Sequence, residues 1–520
     1  MNSAPADTHP LHQLLPRLGS DEEFRALRDL LEECGYNREG ICRRLEIPQI
    51  WEYRTIRQQR AVAIETERGL DVLIRLFLDN EYVGRKEMDA LLPAGAAGIL
   101  ERLNLVIRDS ERPELVFATV TLYPGTGLVE NLPHGVLIAS DRATAPDPAA
   151  KYWLPADVVY PAVVENTRTF LEAMPDGPCD AFLDLGTGTG IAALIASRFA
   201  GRAWASDIAP RSAHFAEFNR RLNGAANVEV VEGDLYEPVE GMTFDRIVTH
   251  PPYVPTLRPR FVFRDGGDDG EQIIRRVIEG LPRFLRVGGM FYAVVLGADC
   301  EGEQFEERIG KWLGAARDEF DLLLVSHSLR TPKEFLSNAI AKKTTGFEEM
   351  QFWQEIWTRR KTEFLFYGNV VLRRHGAGRP ATVTRLQKGA GFSGKHLNWV
   401  LDWQAETHDQ ARLDQVLDLH PEISPDCELR VLNRVQEGRF VPQAFSLEVE
   451  RPFTTECRCQ EWLVRLVAGC DGNKSWREHF RQAREDGIIP AEATERDFAS
   501  ILEAMVTNGI LRVPERPLPV

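Results

Sequence analysis

The chain carries no disulfide framework, no long apolar run and no surplus of positive charge, and each absence narrows what it can be. Its 8 cysteines (Cys34, Cys42, Cys179, Cys300, Cys427, Cys457, Cys459, Cys470) are scattered through 520 residues, unlike a small disulfide-stapled scaffold. Cys457-Arg458-Cys459 with Cys470 lacks C-x-x-C spacing and a nearby histidine set, so free thiols and no metal are expected. The most apolar stretch, residues 290–298, is far shorter than the ~20 residues needed to span a bilayer. Met1 to Pro16 has no basic segment leading into an apolar core, so a soluble, cytoplasmic protein with no signal peptide and no membrane contact is expected. With 62 Lys and Arg against 78 Asp and Glu, the formal net charge is −16. Broad, nonspecific binding to nucleic acid, which relies on neutralising phosphates, is therefore disfavoured, although a local basic surface is compatible with that balance.

What is present is an ordinary globular composition, 43% hydrophobic and 27% charged, over a length that predicts about two to four domains. Ser20-Asp21-Glu22-Glu23 reads as a capping box, followed by Phe24, Leu27, Leu30, Leu31 and Cys34 at helical spacing and Gly35 as the stop. Helices are predicted near 70–78, 85–92 and 94–103, then extended pieces at 105–108 and 115–123. This pattern suggests a small winged-helix-like module. Its candidate recognition helix sets Glu87 and Asp89 beside Arg85 and Lys86, which favours protein docking over DNA binding.

From about residue 180 the pattern turns to alternating strands and helices. Strands are predicted at 181–185, 203–207, 228–232, 244–249, 290–296, 321–326 and 363–372, with helices at 191–199, 209–222 and 271–285. The implied fold is α/β, a doubly wound, Rossmann-like sheet of seven strands. Residues 329–361, with Trp353 and Trp357 among helix formers, predict an inserted helical segment over the active face. Residues 376–396 are glycine-rich, contain no acid and include Arg379, Arg385, Lys388 and Lys395. They read either as an exposed linker or as an electropositive, substrate-contacting segment. Helices at 459–468, 476–484 and 492–506 and a closing strand at 509–513 predict a second helical or winged module. The expected domains are therefore 1–150, 151–375 with the 329–361 insertion, and 376–520 with its leading linker.

Asp184-Leu185-Gly186-Thr187-Gly188-Thr189-Gly190 closes a buried strand and opens a helix. Glycines there allow a tight turn and close approach of a ligand to the backbone. Their spacing differs from G-x-G-x-x-G, and the leading acid suits a cationic ligand better than a pyrophosphate. Asp207, at the second strand's end, is placed to accept hydrogen bonds from the vicinal hydroxyls of a ribose. The plainer reading of each acid is a cap or turn residue, but several polar strand ends in register with a glycine loop favour a cofactor.

The D-x-G-x-G-x-G pattern resembles motif I of the class I S-adenosylmethionine-dependent methyltransferases. That resemblance implies S-adenosyl-L-methionine as cofactor, held by Asp184, Gly186, Thr187, Gly188, Gly190, Asp207, Ile208, Asp234 and Leu235. Within Glu232-Gly233-Asp234-Leu235-Tyr236, it implies a side chain positioned at the adenine ring. His250-Pro251-Pro252-Tyr253 resembles the [N/D/S]-P-P-[Y/F] motif of methyltransferases acting on planar nitrogens. The carried-over catalytic roles fall on His250, Pro251 and Tyr253. His250 stands where asparagine is commonest; neutral imidazole also donates and accepts, with a different reach and a charge change near neutral pH. The plainer reading makes His250 a turn cap and the prolines purely structural.

Arg264-Asp265-Gly266-Gly267-Asp268-Asp269-Gly270 and the later Gly288-Gly289 resemble segments of the glutamine methyltransferases that modify peptide-release factors. Ribosomal-RNA amino methyltransferases share much of this order. The N-terminal part followed by this domain also resembles bacterial methyltransferase-like proteins of unassigned substrate. The resemblance implies an N-methyltransferase acting on a protein glutamine or an RNA base. The alternatives are a small-molecule methyltransferase and a noncatalytic S-adenosylmethionine-binding protein.

Overall fold

Thirteen residues from Asp21 to Glu33 form the first helix, capped as the Ser20–Glu23 box predicts, with Ser20 and Glu23 closing reciprocal bonds. The computed structural model describes residues 13–53, 65–125, 135–147, 152, 154–161, 164–342, 345–489 and 492–519. The first twelve residues of the segment read for a signal peptide, the expected boundary at 150 and 151, and positions 343 and 344 of the expected insertion lie outside them. Two compact units are present, Met1–Glu172 with Asp176–Arg286, and Ala173–Pro175 with Val287–Val520.

In the first unit, the N-terminal helices Gly69–Phe77, Arg85–Leu91 and Ala96–Arg102 accompany a small antiparallel sheet of Val83–Gly84, Leu115–Ala118 and Val106–Arg108. Following them in the chain are helix α1 (Glu165–Glu172), strand β1 (Cys179–Leu185), helix α2 (Ile191–Ala196), strand β2 (Ala200–Asp207), helix α3 (Pro210–Leu222), strand β3 (Val228–Glu232), strand β4 (Phe244–Thr249) and helix α4 (Gln272–Phe284). The four strands run parallel in the order β3-β2-β1-β4. Parallel strands need crossovers, and α2 and α3 supply those after β1 and β2. The β-rich residues of β1 are buried from Ala181 to Leu185, as a strand covered on both faces requires.

Helix α3 joins the parallel sheet to the N-terminal elements. Phe24 meets Phe218 edge to face at 5.1 Å, and Phe215, Phe218 and Leu222 share one core with Leu27, Leu31 and Leu73. Asn219 is fully buried and completely used: it accepts from the Ala139 amide at 2.7 Å and donates to the Ala139 and Thr189 carbonyls at 2.9 Å each. One side chain thus ties the glycine loop to strand Val136–Asp141. Buried polar groups persist only when paired in this way.

The second unit is built on strands Leu285–Cys300, Phe320–Arg330 and Thr362–Arg374, with Thr362–Arg374 antiparallel to both others. Helices Pro332–Lys342 and Phe347–Arg359 occupy the expected insertion, where Phe335 packs edge-on against Trp353 and Trp357. Residues 376–396 differ from both expectations. They supply a strand, Val383–Lys388, parallel to Phe320–Arg330. Their arginines are spent in ion pairs, Arg379 on buried Asp321 and Arg385 on Asp299 and Glu306. Charge read from sequence as free is neutralised by acids from other strands and from the helix Phe305–Leu313. The C-terminal helices Glu461–Ala468, Trp476–Glu485 and Glu495–Thr507 lie close to the predicted ranges. Helix Gly394–His408 and the strands Glu428–Gln436, Arg439–Val449 and Phe453–Cys459 are additional.

Candidate functional site

The candidate site grows from the carboxyl ends of the four parallel strands, the edge where open α/β sheets bind ligands. Beyond Leu185 the backbone takes positive φ at Gly186 (67°), Gly188 (55°) and Gly190 (83°). These glycines do two jobs. A Cβ on Gly190 would lie 3.3 Å from Ala216 of α3, so Gly190 permits helix packing. A Cβ on Gly186 or Gly188 would meet nothing within 4 Å. That open side is a backbone cradle that a side chain would fill, and it suits the cofactor implied by the resemblance.

Asp184 and Thr187 face inward. The Thr187 hydroxyl donates to Asp184 at 2.5 Å, and its amide donates to Ser206 at 3.0 Å. Burial pushes the Asp184 carboxyl up to about 7, with the Asp207 charge adding to the rise and the Thr187 bond opposing it. A positive group bound at the loop would favour the anion and reverse that rise. Asp207 accepts from the Gly188 amide on one oxygen and the Ala209 amide on the other, both at 2.9 Å. Burial raises its pKa, while these backbone bonds oppose the rise. It therefore fastens the glycine loop to the turn after β2. The Ser212 hydroxyl and the Ile208 amide also bond to this carboxylate, so a ligand hydroxyl would share or displace one of these donors.

Ile208, immediately beyond, is 54% exposed despite being aliphatic. Asp234 pairs with Arg276 of α4 at 2.7 Å. Leu235 adopts φ 50°, a conformation costly for a branched side chain, and its carbonyl accepts from the Ser206 hydroxyl at 3.2 Å. Neighbouring Tyr236 belongs to the core: its hydroxyl donates to Val277 and its ring stacks on Phe284 at 4.3 Å.

The second half of the site begins at the end of β4. Leu185 and Thr249 are register partners, and the Thr249 hydroxyl donates to the Leu185 carbonyl at 2.7 Å. Gly186 and His250, one residue further on, therefore leave adjacent strands together. Pro251 is buried and Tyr253 half-buried. The His250 ring stacks on Phe170 of α1 at 5.4 Å with a 14° interplanar angle, and tilts against Tyr253 at 5.9 Å. Its Nε2 is buried with no hydrogen-bond partner among the described residues. Burial lowers its pKa to about 4, so the imidazole is neutral across the physiological range. An unpaired buried nitrogen costs stability, a cost that a ligand N–H or C=O would relieve.

Helix α1 is an element that the sequence pattern does not predict. Asn166 donates to the Tyr253 hydroxyl at 3.3 Å while Phe170 covers His250. These two are i and i+4 and share one helix face, so α1 holds both ends of the turn. Apart from that spacing, no signal in the sequence links them to residues so distant.

The glycines of residues 265–270 acquire a packing reason. A Cβ on Gly266 would lie 2.7 Å from the Pro252 carbonyl and 2.8 Å from Tyr253 Cα. The backbone pairs there, Gly266 donating to Val254 and Thr256 to Gly267, each at 2.9 Å. Among the described residues, no group of three or more His, Cys, Asp or Glu side chains could hold a metal ion. No described helix is long and apolar enough to cross a membrane.

Comparison with known proteins matches residues 162–316 to the methyltransferase small domain. A release factor glutamine methyltransferase of Moorella thermoacetica is 34% identical over 182 residues, 31% of this chain and 63% of that protein. A protein of Methanocaldococcus jannaschii that carries the name protein N5-glutamine methyltransferase is 34% identical over 162 residues, 30% of this chain and 79% of its own length. A ribosomal protein uL3 glutamine methyltransferase of Bradyrhizobium diazoefficiens is 31% identical over 159 residues, 28% of this chain and 50% of that protein. The chain thus spans between half and four fifths of these relatives, and most of its own length lies outside the matched region.

Proposed function

The chain belongs to the methyltransferase small-domain family, and from that premise we propose that it methylates the side-chain amide nitrogen of a glutamine in a protein. The methyl donor is S-adenosylmethionine, whose sulfonium supplies an already activated methyl group. Glycine-loop residues Gly186, Gly188 and Gly190, with Asp184 and Thr187 behind them, form the donor side of this reading. Asp207 takes the ribose, and Ile208, Asp234 and Leu235 border the adenine.

The observation that carries the acceptor side is the buried, unpartnered Nε2 of His250. An amide nitrogen is a poor nucleophile because its lone pair is delocalised into the carbonyl. With the proton on Nδ1, neutral Nε2 accepts one amide N–H, and the Pro251 carbonyl is available for the other. The amide is then held in one orientation toward the donor, and positioning supplies the rate. Neutrality is essential to this role: an imidazolium could not accept, and its charge would oppose a sulfonium. Tyr253 closes the turn with its aromatic face. The proton released by the nitrogen after methylation leaves to solvent.

The same reading assigns the methyltransferase domain and seven strands of its sheet to residues 151–375, and the strand Val383–Lys388, parallel to Phe320–Arg330, adds to that sheet from beyond the boundary. Winged-helix-like modules at 1–150 and within 376–520 belong to the same reading, with a cytoplasmic protein as substrate.

Transfer of labelled methyl groups into a cell extract, divided by protease and ribonuclease treatment, tests the substrate class. Protease-sensitive label is the expected result. Label released by ribonuclease would overturn the glutamine reading in favour of an RNA base, and label in neither fraction would favour a small molecule.

A further inference from the structure

Immediately after Tyr253 the chain makes an excursion whose two ends are fastened together. Val254 bridges Asp265, and the Val254 amide donates to the Arg264 carbonyl at 3.0 Å. Closed loops of this kind, packed by their own side chains, often carry function. Between the fastened ends lies Leu257-Arg258-Pro259-Arg260-Phe261-Val262-Phe263, in which Leu257, Val262 and Phe263 are exposed and Phe261 is half-buried. Leu257 is 58% exposed, Val262 45% and Phe263 39%. Tyr160, 43% exposed, stacks on Phe263 at 5.1 Å, and the Val262 amide donates to the Ala156 carbonyl at 3.0 Å. Two segments of the first unit are thereby packed together, with exposed apolar side chains on both, next in the chain to the acceptor turn. Clustered exposed apolar side chains mark interaction sites, whereas scattered ones need no explanation.

The charge on this surface runs against that of the chain. Arg258 and Arg260 are exposed on the loop, in a protein of net charge −16. The acid that ends the loop is turned inward: Asp265 accepts from the Arg260 and Phe261 amides and pairs with Arg264 at 3.3 Å.

We propose that residues 257–263 with Tyr160 are the docking surface for the substrate polypeptide, which places apolar and acidic side chains next to the target glutamine. The proposal rests on the glutamine reading and adds a sequence preference to it. Charge complementarity selects acidic neighbours, and the exposed Leu257, Val262 and Phe263 select apolar ones. A peptide fits this surface better than a nucleic acid. Single-stranded bases need open aromatic faces, yet Tyr160 and Phe263 already stack on each other and Arg260 lies 4.7 Å over the Phe261 ring.

The test uses the full-length protein and fluorescent peptides that share a central glutamine. One is flanked by Asp, Glu, Leu and Phe, one by Lys with the same apolar residues, and one by Ser and Gly; a uridine oligonucleotide serves as a fourth probe. Binding is read by anisotropy and transfer by labelled S-adenosylmethionine. The acidic-apolar peptide is expected to bind at least tenfold more tightly than either other peptide. The double variant Arg258→Glu, Arg260→Glu should reverse the preference between the acidic and lysine-flanked peptides, with S-adenosylmethionine affinity and Tm unchanged. Equal binding of all three peptides, or a preference that survives the charge reversal, overturns the docking proposal whatever the transfer result. Tighter binding of the oligonucleotide, lost on charge reversal, overturns it in favour of nucleic acid. Selective binding with no transfer to any peptide would support the surface and count against the glutamine reading.

Discussion

The donor and acceptor sides of the site are assembled from the chain in opposite ways. On the donor side, Asp184, Asp207 and Asp234 stand at or just beyond successive strand ends, and Asp207 reaches the glycine loop directly through the Gly188 amide. On the acceptor side, the turn at His250 is covered by Phe170 and Tyr253 is bonded by Asn166, which lies 87 positions away. The donor side is held by charged side chains on backbone amides, the acceptor side by ring packing and a neutral nitrogen. One half is thus an electrostatic cradle and the other a dry clamp. Substitutions on the two halves should separate cofactor binding from transfer.

The largest separation is expected from His250→Ala. Transfer should fall by roughly 10²–10³ in kcat through lost positioning, with S-adenosylmethionine affinity unchanged in a calorimetric titration. His250→Asn should recover part of the rate, because an amide oxygen also accepts an N–H. A parallel loss of affinity would show that the two halves are one.

Asp207→Ala should do the reverse. The Gly188, Ala209 and Ile208 amides and the Ser212 hydroxyl lose their acceptor, at about 1–3 kcal/mol for each donor left buried and unpaired, and the glycine loop loosens. S-adenosylmethionine affinity should fall on the order of 10²-fold by calorimetry, with a smaller effect on kcat at saturating donor.

Phe170→Ala tests the dry clamp through pH. With burial holding His250 near 4, transfer by the intact protein should not vary with His250 ionisation between pH 5.5 and 8. Removing the ring admits water and lets the pKa rise toward ~6.5. Protonation then removes the acceptor lone pair, so the variant should lose roughly tenfold in rate at pH 5.5 relative to pH 8. The shift is checked directly by NMR titration of the imidazole. A variant with unchanged pH dependence would show that Phe170 only fills space.

Asp184 gives the donor side its own pH signature. Its carboxyl lies near 7 in the free protein, and a bound cation favours the anion. Donor affinity should therefore rise with pH up to about 7 and level off above it, falling up to about tenfold per unit below. Asp184→Asn should flatten the profile. In stability the sign is opposite: a raised carboxyl pKa binds extra protons in the folded state, so this group's stabilising contribution is lost as pH rises from about 4 through 7.

The smallest effect belongs to Asn166→Ala. One half-exposed hydrogen bond to Tyr253 is worth about 0.5–1.5 kcal/mol, a several-fold loss of kcat at most with donor affinity intact.

This asymmetry also governs how much of the molecule was legible in the sequence. The parallel strands lie where alternation and apolar runs predict them: β3 spans Val228–Glu232 and β4 spans Phe244–Thr249, as read. The glycine loop was legible because positive φ restricts residue choice locally. Clamp residues Phe170 and Asn166 were not, since ring stacking leaves no spacing rule between segments distant in sequence. Strand Val383–Lys388 was hidden because its flanks are rich in glycine and because the acids that neutralise Arg379 and Arg385 lie on other elements, distant in sequence. Hairpin Glu428–Val449 was also missed; much of its surface is exposed, so burial gave its alternating pattern little contrast.

Glutamine-amide methylation is tested most directly by locating the methyl group. A labelled protein acceptor, recovered after incubation with the full-length protein and S-adenosylmethionine, can be digested and sequenced by tandem mass spectrometry. A single added methyl on a glutamine side-chain nitrogen, absent from the His250→Ala reaction, is the expected result. A methyl group on lysine, arginine, a main-chain nitrogen or a nucleobase would contradict it.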